Sequence, residues 1–144
     1  MSYINFSIST GPRESSMLQK LLLLGLAGAS GTLARYGLVT VTHKALGGEF
    51  PWGTFAANIV GCFVAGFLWI LIEKFISISG ETRIIIFVGF FGAFTTFSTL
   101  MLETGEMFRD AEWLYAIKNL ALHNGFGLLS LFAGLTLGRL MKGV

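Results

Sequence analysis

The sequence predicts an all-α membrane protein: four transmembrane helices, with a break in the third. Three observations carry that expectation. Hydrophobic residues make up 53% of the 144-residue chain and charged residues only 12%, where soluble domains average about 25% charged. The mean hydropathy is +0.72. Apolar runs of the length a helix needs to cross a hydrocarbon core, about 20 residues, occur four times. A chain this short has a large surface for its volume, and ten basic and eight acidic side chains cannot cover it. Composition thus excludes a soluble enzyme domain and a disordered chain. The net charge of +2 leaves no basic patch, so no nucleic-acid partner is expected. Cys62 is the only cysteine, which excludes an internal disulfide and a thiolate metal cluster.

In chain order, residues 1–16 read as a disordered polar extension and 17–144 as a single four-span transmembrane domain. The first span covers about 21–41 and is interrupted only by Arg35. A signal peptide is the alternative for its start, but the apolar run continues past Arg35 and is too long for one. The second span, about 53–72, and the third, about 84–102, carry no charge; Glu103 ends the third. The fourth, about 120–137, holds His123 and stops before Arg139 and Lys142. None alternates with period two, so helices are expected throughout. Gly47, Gly48 and Pro51 supply turn chemistry after the first span. The connection over 103–118, with Arg109, Asp110 and Glu112, is the longest, and a continuation of the third helix is one reading of its start.

An even number of spans puts both termini on one side of the membrane. That side holds Arg13, Lys20, Lys74, Arg83, Arg139 and Lys142; the other holds Lys44, Arg109 and Lys118. The positive-inside rule favours cytoplasmic termini, but the bias is weak, as in proteins that insert in both orientations. The chain also carries 19 glycines, although each costs about 1 kcal/mol in a soluble helix. Several small residues stand four apart: Ala27 and Gly31, Ala57 and Gly61, Gly61 and Ala65, Gly89 and Ala93, Gly134 and Gly138. Such pairs let helix backbones approach closely where lipid gives no hydrophobic drive. As a set they point to tight packing and oligomerisation.

Polar groups inside a span are expensive and point to function. Arg35 lies close enough to the end of its span to snorkel; attraction of anions is the competing role. Asn58 is either interhelical glue or a functional amide. The run from Gly92 to Thr99 places Thr95, Thr96, Ser98 and Thr99 beside Phe94 and Phe97 in a charge-free helix. One or two hydroxyls can bond back to their own helix. Four fit better with a break whose freed backbone groups they satisfy. Asn119, His123 and Gly127 fall on one face of the fourth helix. Glu103 is either a surface residue at a helix end or a gate at a pore mouth.

Three segments then carry a resemblance. Residues 27–36, Ala-Gly-Ala-Ser-Gly-Thr-Leu-Ala-Arg-Tyr, contain a small-residue and Arg-Tyr pattern. Residues 53–66 contain Gly53, Thr54, Asn58, Gly61, Phe63 and Gly66 at fixed spacing. Residues 89–99 read Gly-Phe-Phe-Gly-Ala-Phe-Thr-Thr-Phe-Ser-Thr. One per span and in this order, they resemble the CrcB/Fluc fluoride channel family over about 21–139. The resemblance implies a fluoride-selective passive channel in the plasma membrane that relieves fluoride toxicity. It implies an antiparallel, dual-topology homodimer of inverted subunits, with a structural Na+ on the two-fold axis. By position, Asn58 would donate to fluoride and Phe97 would offer its ring edge. Thr99 and the fourth-span positions His123 and Gly127 would lie along the polar track, Arg35 would favour anions, and Glu103 matches a glutamate near the pore. Backbone carbonyls of Gly92 and Thr95 would hold sodium.

The chemistry is reasonable for fluoride. Amide N–H and hydroxyl groups replace its water, an aromatic ring has a positive edge, and conduction needs weak, repeated sites. Two positions depart from the family pattern. Leu100 stands where a second phenylalanine is expected, and His123 where serine or asparagine is usual. The first bears on conduction rate; the second introduces a group that titrates near neutral pH. Both leave room for a heterodimer with a homologue. A small multidrug-type proton-coupled antiporter and a non-transporting membrane assembly subunit are the rival readings.

Overall fold

Each helix begins and ends where local chemistry dictates. In the computed structural model the described residues are 16–48 and 50–141; the extension expected to be disordered lies, but for Ser16, outside them. Helix α1 (Met17–Leu46) is capped by Ser16, whose hydroxyl accepts the Gln19 N–H at 3.2 Å. It stops at Gly47 and Gly48, with φ of 54° and 85°, a left-handed conformation that glycine adopts without strain. Helix α2 (Trp52–Lys74) follows Pro51, whose missing N–H is no loss at a helix start.

The third membrane crossing is composite. Helix α3 (Gly80–Ile84) is capped by Ser79, which accepts the Thr82 N–H at 3.1 Å. A π-helical segment, Ile85–Phe91, and the short α4 (Gly92–Phe94) continue it. Thr95 (ψ 160°) and Thr96 (φ −149°, ψ 114°) are then extended, and α5 (Phe97–Arg109) resumes with Thr96 as its cap. Helix α6 (Trp113–Leu140) is the last helix among the described residues.

The helices overrun the apolar stretches. Helix α5 continues past Glu103 to Arg109, and α6 starts at Trp113, leaving only 110–112 as a turn, with Ala111 at φ 62°. Glu103 therefore stands inside a helix and not at its end. Hydropathy marks where lipid stops, whereas helical hydrogen bonding continues into polar sequence at the membrane surface.

Among the described residues, four helical stretches are long and apolar enough to cross a membrane: Met17–Leu46, Trp52–Lys74, Gly80–Arg109 and Trp113–Leu140. Every regular element among the described residues is helical, and the protein is a multi-pass membrane protein. Its outward surface is apolar, with Leu22, Leu33, Leu129 and Phe132 all exposed. Helices α2 and α6 run parallel, shown by matched contacts along both: Ile59 with Ser130, Gly66 with Leu131, Ile70 with Gly138. Helix α1 lies along the π-helical segment and α4, and Lys20 reaches Glu81 at 3.8 Å.

Glycine permits these approaches. A Cβ on Gly31 would strike the Phe90 carbonyl, and one on Gly138 would lie 2.8 Å from Ile70 Cβ. The small-residue pairs thus serve contacts inside the subunit at Gly31, Gly61, Gly89, Gly134 and Gly138. Gly105, by contrast, faces open space. Gly105→Ala is expected to leave thermal stability in detergent unchanged or raise it by up to about 1 kcal/mol; a clear loss would contradict this packing.

Candidate functional site

One polar feature between the helices is built around Asn58, which is half-buried. From α2 its amide makes a two-point contact with the extended segment: Nδ2 donates to the Thr96 carbonyl at 3.1 Å, and Oδ1 accepts the Thr96 N–H at 2.8 Å. This pairing explains how two residues leave the helix at membrane depth. Backbone groups without partners are intolerable in lipid, and Asn58 supplies both partners at once. Its second N–H remains uncommitted.

Thr96 fixes the other side of the interruption. Its hydroxyl oxygen accepts the Thr99 N–H at 3.2 Å and lies 2.9 Å from the Thr99 hydroxyl and 3.3 Å from that of Ser98. Thr95 bonds back to the Phe91 carbonyl at 2.8 Å, and its methyl packs where Gly61 leaves room. Three hydroxyls of the run thus serve the interruption and one serves the preceding turn.

Beside this segment lies an open groove of about 220 Å³, lined by Asn58, Cys62, Thr95, Thr96, Phe97, Leu100, His123 and Asn124. It gathers Asn58, Thr95, Phe97, Leu100 and His123, five of the residues the sequence singles out. Phe97 is 71% exposed and projects from the subunit. Leu100 is buried at the groove's wall. The Phe55 ring meets the imidazole of His123 edge-on, with centroids 5.2 Å apart. Arg35, Thr99, Glu103 and Gly92 are not among the lining residues. Arg35 is half-buried on α1 and, among the described residues, forms no ion pair.

A second polar cluster occupies the junction of α2, α5 and α6. The Thr54 hydroxyl donates to Glu103 Oε1 at 2.5 Å. Thr104 donates to the Leu100 carbonyl at 2.7 Å and accepts from Asn119 Nδ2 at 3.0 Å. The Asn119 carbonyl meets His123 Nδ1 at 3.0 Å. Sequence reasoning placed Asn119 and His123 on one face but missed Thr54 and Thr104. Their signal was available: Thr54 lies one turn before Asn58, and Thr104 adjoins Glu103.

Among the described residues no three His, Cys, Asp or Glu side chains come together to hold a metal. Backbone oxygens offer a different donor set. In a continuous helix the Thr96 N–H would bond to the Gly92 carbonyl; here it bonds to Asn58, so that carbonyl loses its helical donor. Thr95, at ψ 160°, turns its own carbonyl out of the helical direction. Neutral, hard oxygens of this kind fit a hard cation such as Na+.

Comparison with known proteins places these features in a family. The family profile described as "CrcB-like protein, Camphor Resistance (CrcB)" matches residues 22–135. A protein of Desulforapulum autotrophicum named "Fluoride-specific ion channel FluC" is 51% identical over 125 residues, covering 87% of this chain and all of that protein. A Nitrosococcus oceani protein of the same name is 46% identical over 125 residues, with the same coverage of both chains. One from Dehalococcoides mccartyi is 42% identical over 127 residues, covering 85% of this chain and 95% of its own length. With a profile running through all four crossings and relatives matched almost end to end, the chain belongs to the CrcB family.

Proposed function

We propose that the protein is a subunit of a fluoride-selective passive channel of the plasma membrane, which lets fluoride leave the cell. The Asn58 amide beside Phe97 in the groove carries this reading, supported by relatives named as fluoride-specific channels. The uncommitted Asn58 N–H and the positive edge of Phe97 are donors without formal charge. They hold a small anion weakly enough to release it. The relatives favour this over the antiporter and the silent assembly subunit, and the activity is transport without an enzymatic reaction.

A homodimer of inverted subunits, with a homologue as a possible second partner, agrees with Phe97. A ring 71% exposed on the subunit completes a pore wall only against a second copy or lipid. Na+ at the dimer axis would be held by the carbonyls of Gly92 and Thr95; bound, it would supply positive charge that ties the two interruptions together. The expected result for purified protein in liposomes is fluoride efflux on an ion-selective electrode with chloride retained. Equal release of both ions, or of neither, would refute the proposal. Phe97→Ile should reduce fluoride efflux at least about tenfold, the effect of losing about 1.4 kcal/mol of stabilisation, while the dimer still elutes as a dimer.

A further inference from the structure

We propose that the pocket between the second and third crossings binds one phospholipid headgroup that carries both a phosphate and a primary ammonium. The pocket is open, about 320 Å³ in volume and mostly polar in its lining. It lies where α2 ends and the third crossing begins, and its wall includes Glu73, Lys74, Ser77 and Arg83. Two bases and one acid thus share one space. Among the described residues, none of the three forms an ion pair with another or with any further group. Lys20 is engaged with Glu81 at 3.8 Å, and neither lines the pocket. Opposite charges that line one small space without closing on each other suit a ligand that bears both signs.

Each charge has a matching partner in such a headgroup. Arg83 stands with its guanidinium carbon 5.8 Å from the centre of the Trp69 ring. That contact holds the cation over the ring and leaves its N–H groups for phosphate oxygens, which a guanidinium meets two at a time. Lys74 adds a second donor to the same oxygens. The Glu73 carboxylate accepts from the ammonium. The backbone favours this direction of binding. The Leu71 carbonyl takes both the Phe75 and the Ile76 N–H, at 2.9 and 3.1 Å. The carbonyls that follow it in α2 therefore receive no N–H from the loop, and a helix end of this kind favours a cation. The ammonium belongs on the α2 side, beside Glu73.

The rim identifies the ligand as a lipid and not a soluble phosphate. Phe75 and Ile76 also line the pocket and are 50% and 46% exposed. Apolar side chains beside a charged pocket at the end of a crossing lie against acyl chains. Trp69, near the end of that crossing, is the residue type that membranes collect at headgroup level.

The proposal stands apart from ion conduction, and so does its test. Purified full-length protein in detergent is titrated with phosphatidylethanolamine, phosphatidylglycerol or phosphatidylcholine, and bound lipid is counted by native mass spectrometry. One phosphatidylethanolamine per subunit is expected, bound about fivefold more tightly than either other lipid, the modest margin of solvent-open charge contacts. Phosphatidylglycerol lacks the ammonium, and phosphatidylcholine has no N–H to give Glu73. Glu73→Gln should erase the preference over phosphatidylglycerol, whereas Arg83→Gln should weaken all three lipids. If Arg83→Gln unfolds, Lys74→Gln at the exposed end of α2 should show the same uniform weakening. Equal binding of the three lipids, tighter binding of another, or a preference that survives Glu73→Gln overturns the proposal. So does displacement of bound lipid by excess inorganic phosphate, which would assign the pocket to a soluble anion.

Discussion

Asn58→Ala is expected to lower fluoride efflux by roughly 30- to 150-fold, the equivalent of two hydrogen bonds worth about 1–1.5 kcal/mol each. The substitution removes both contacts with Thr96, at 3.1 and 2.8 Å, along with the second amide N–H of a residue that lines the groove. Asn58→Asp separates these effects. It preserves the acceptor for the Thr96 N–H, loses both amide donors and adds a negative charge to the groove through which the proposed channel would pass an anion. Efflux should fall at least as far as in the alanine variant, although more of the segment's geometry survives. Liposome efflux, with gel filtration to check assembly, measures both. An Asn58→Ala protein conducting within about threefold of the parent would mean that the amide is structural glue only.

Gly134→Ala should produce the largest loss of stability of any single methyl group added to the protein, about 3 kcal/mol or more. Its Cβ would press on the Phe63 carbonyl and lie 2.9 Å from the Phe67 nitrogen. Both are backbone atoms of α2, so no side chain can rotate aside. The helices must part, and the same pair of helices holds Asn58 and His123. Thermal unfolding in detergent should show a large drop, set against the neutral Gly105→Ala, and fluoride efflux should fall with it. A midpoint close to the parent's would show that α2 and α6 do not approach as described.

Much of this architecture was readable from composition. Four helical crossings follow from four long apolar runs, because a span must satisfy its own backbone groups in lipid as a helix or a closed barrel, and runs this long without period-two alternation are not strands. The hydroxyl run at Thr95–Thr99 was visible as too many polar groups for an intact helix, and Asn58 as an amide in an apolar span. Their pairing was not visible. Thirty-eight residues separate Asn58 from Thr96, and no local pattern encodes a contact at that distance. The π-helical segment over Ile85–Phe91 was likewise hidden, since its apolar residues read equally well as an α-helix. Its winding accompanies packing against α1, where Gly89 meets Ala27 and Leu24. Glu103 was placed at a helix end because hydropathy falls there, although hydrogen bonding does not.

The two extended threonines have an electrical consequence. They divide one crossing into two helical rods whose facing ends lie within the bilayer. Peptide dipoles sum to roughly half an elementary charge at each helix end, positive at the N-terminus and negative at the C-terminus. Helix α5 therefore brings the positive end of its thirteen residues beside the exposed ring of Phe97, while the carbonyl end of α4 faces it across Thr95. Both signs of charge are thus held inside the membrane by backbone alone. Neither depends on a proton, so this field persists at any pH at which the fold persists.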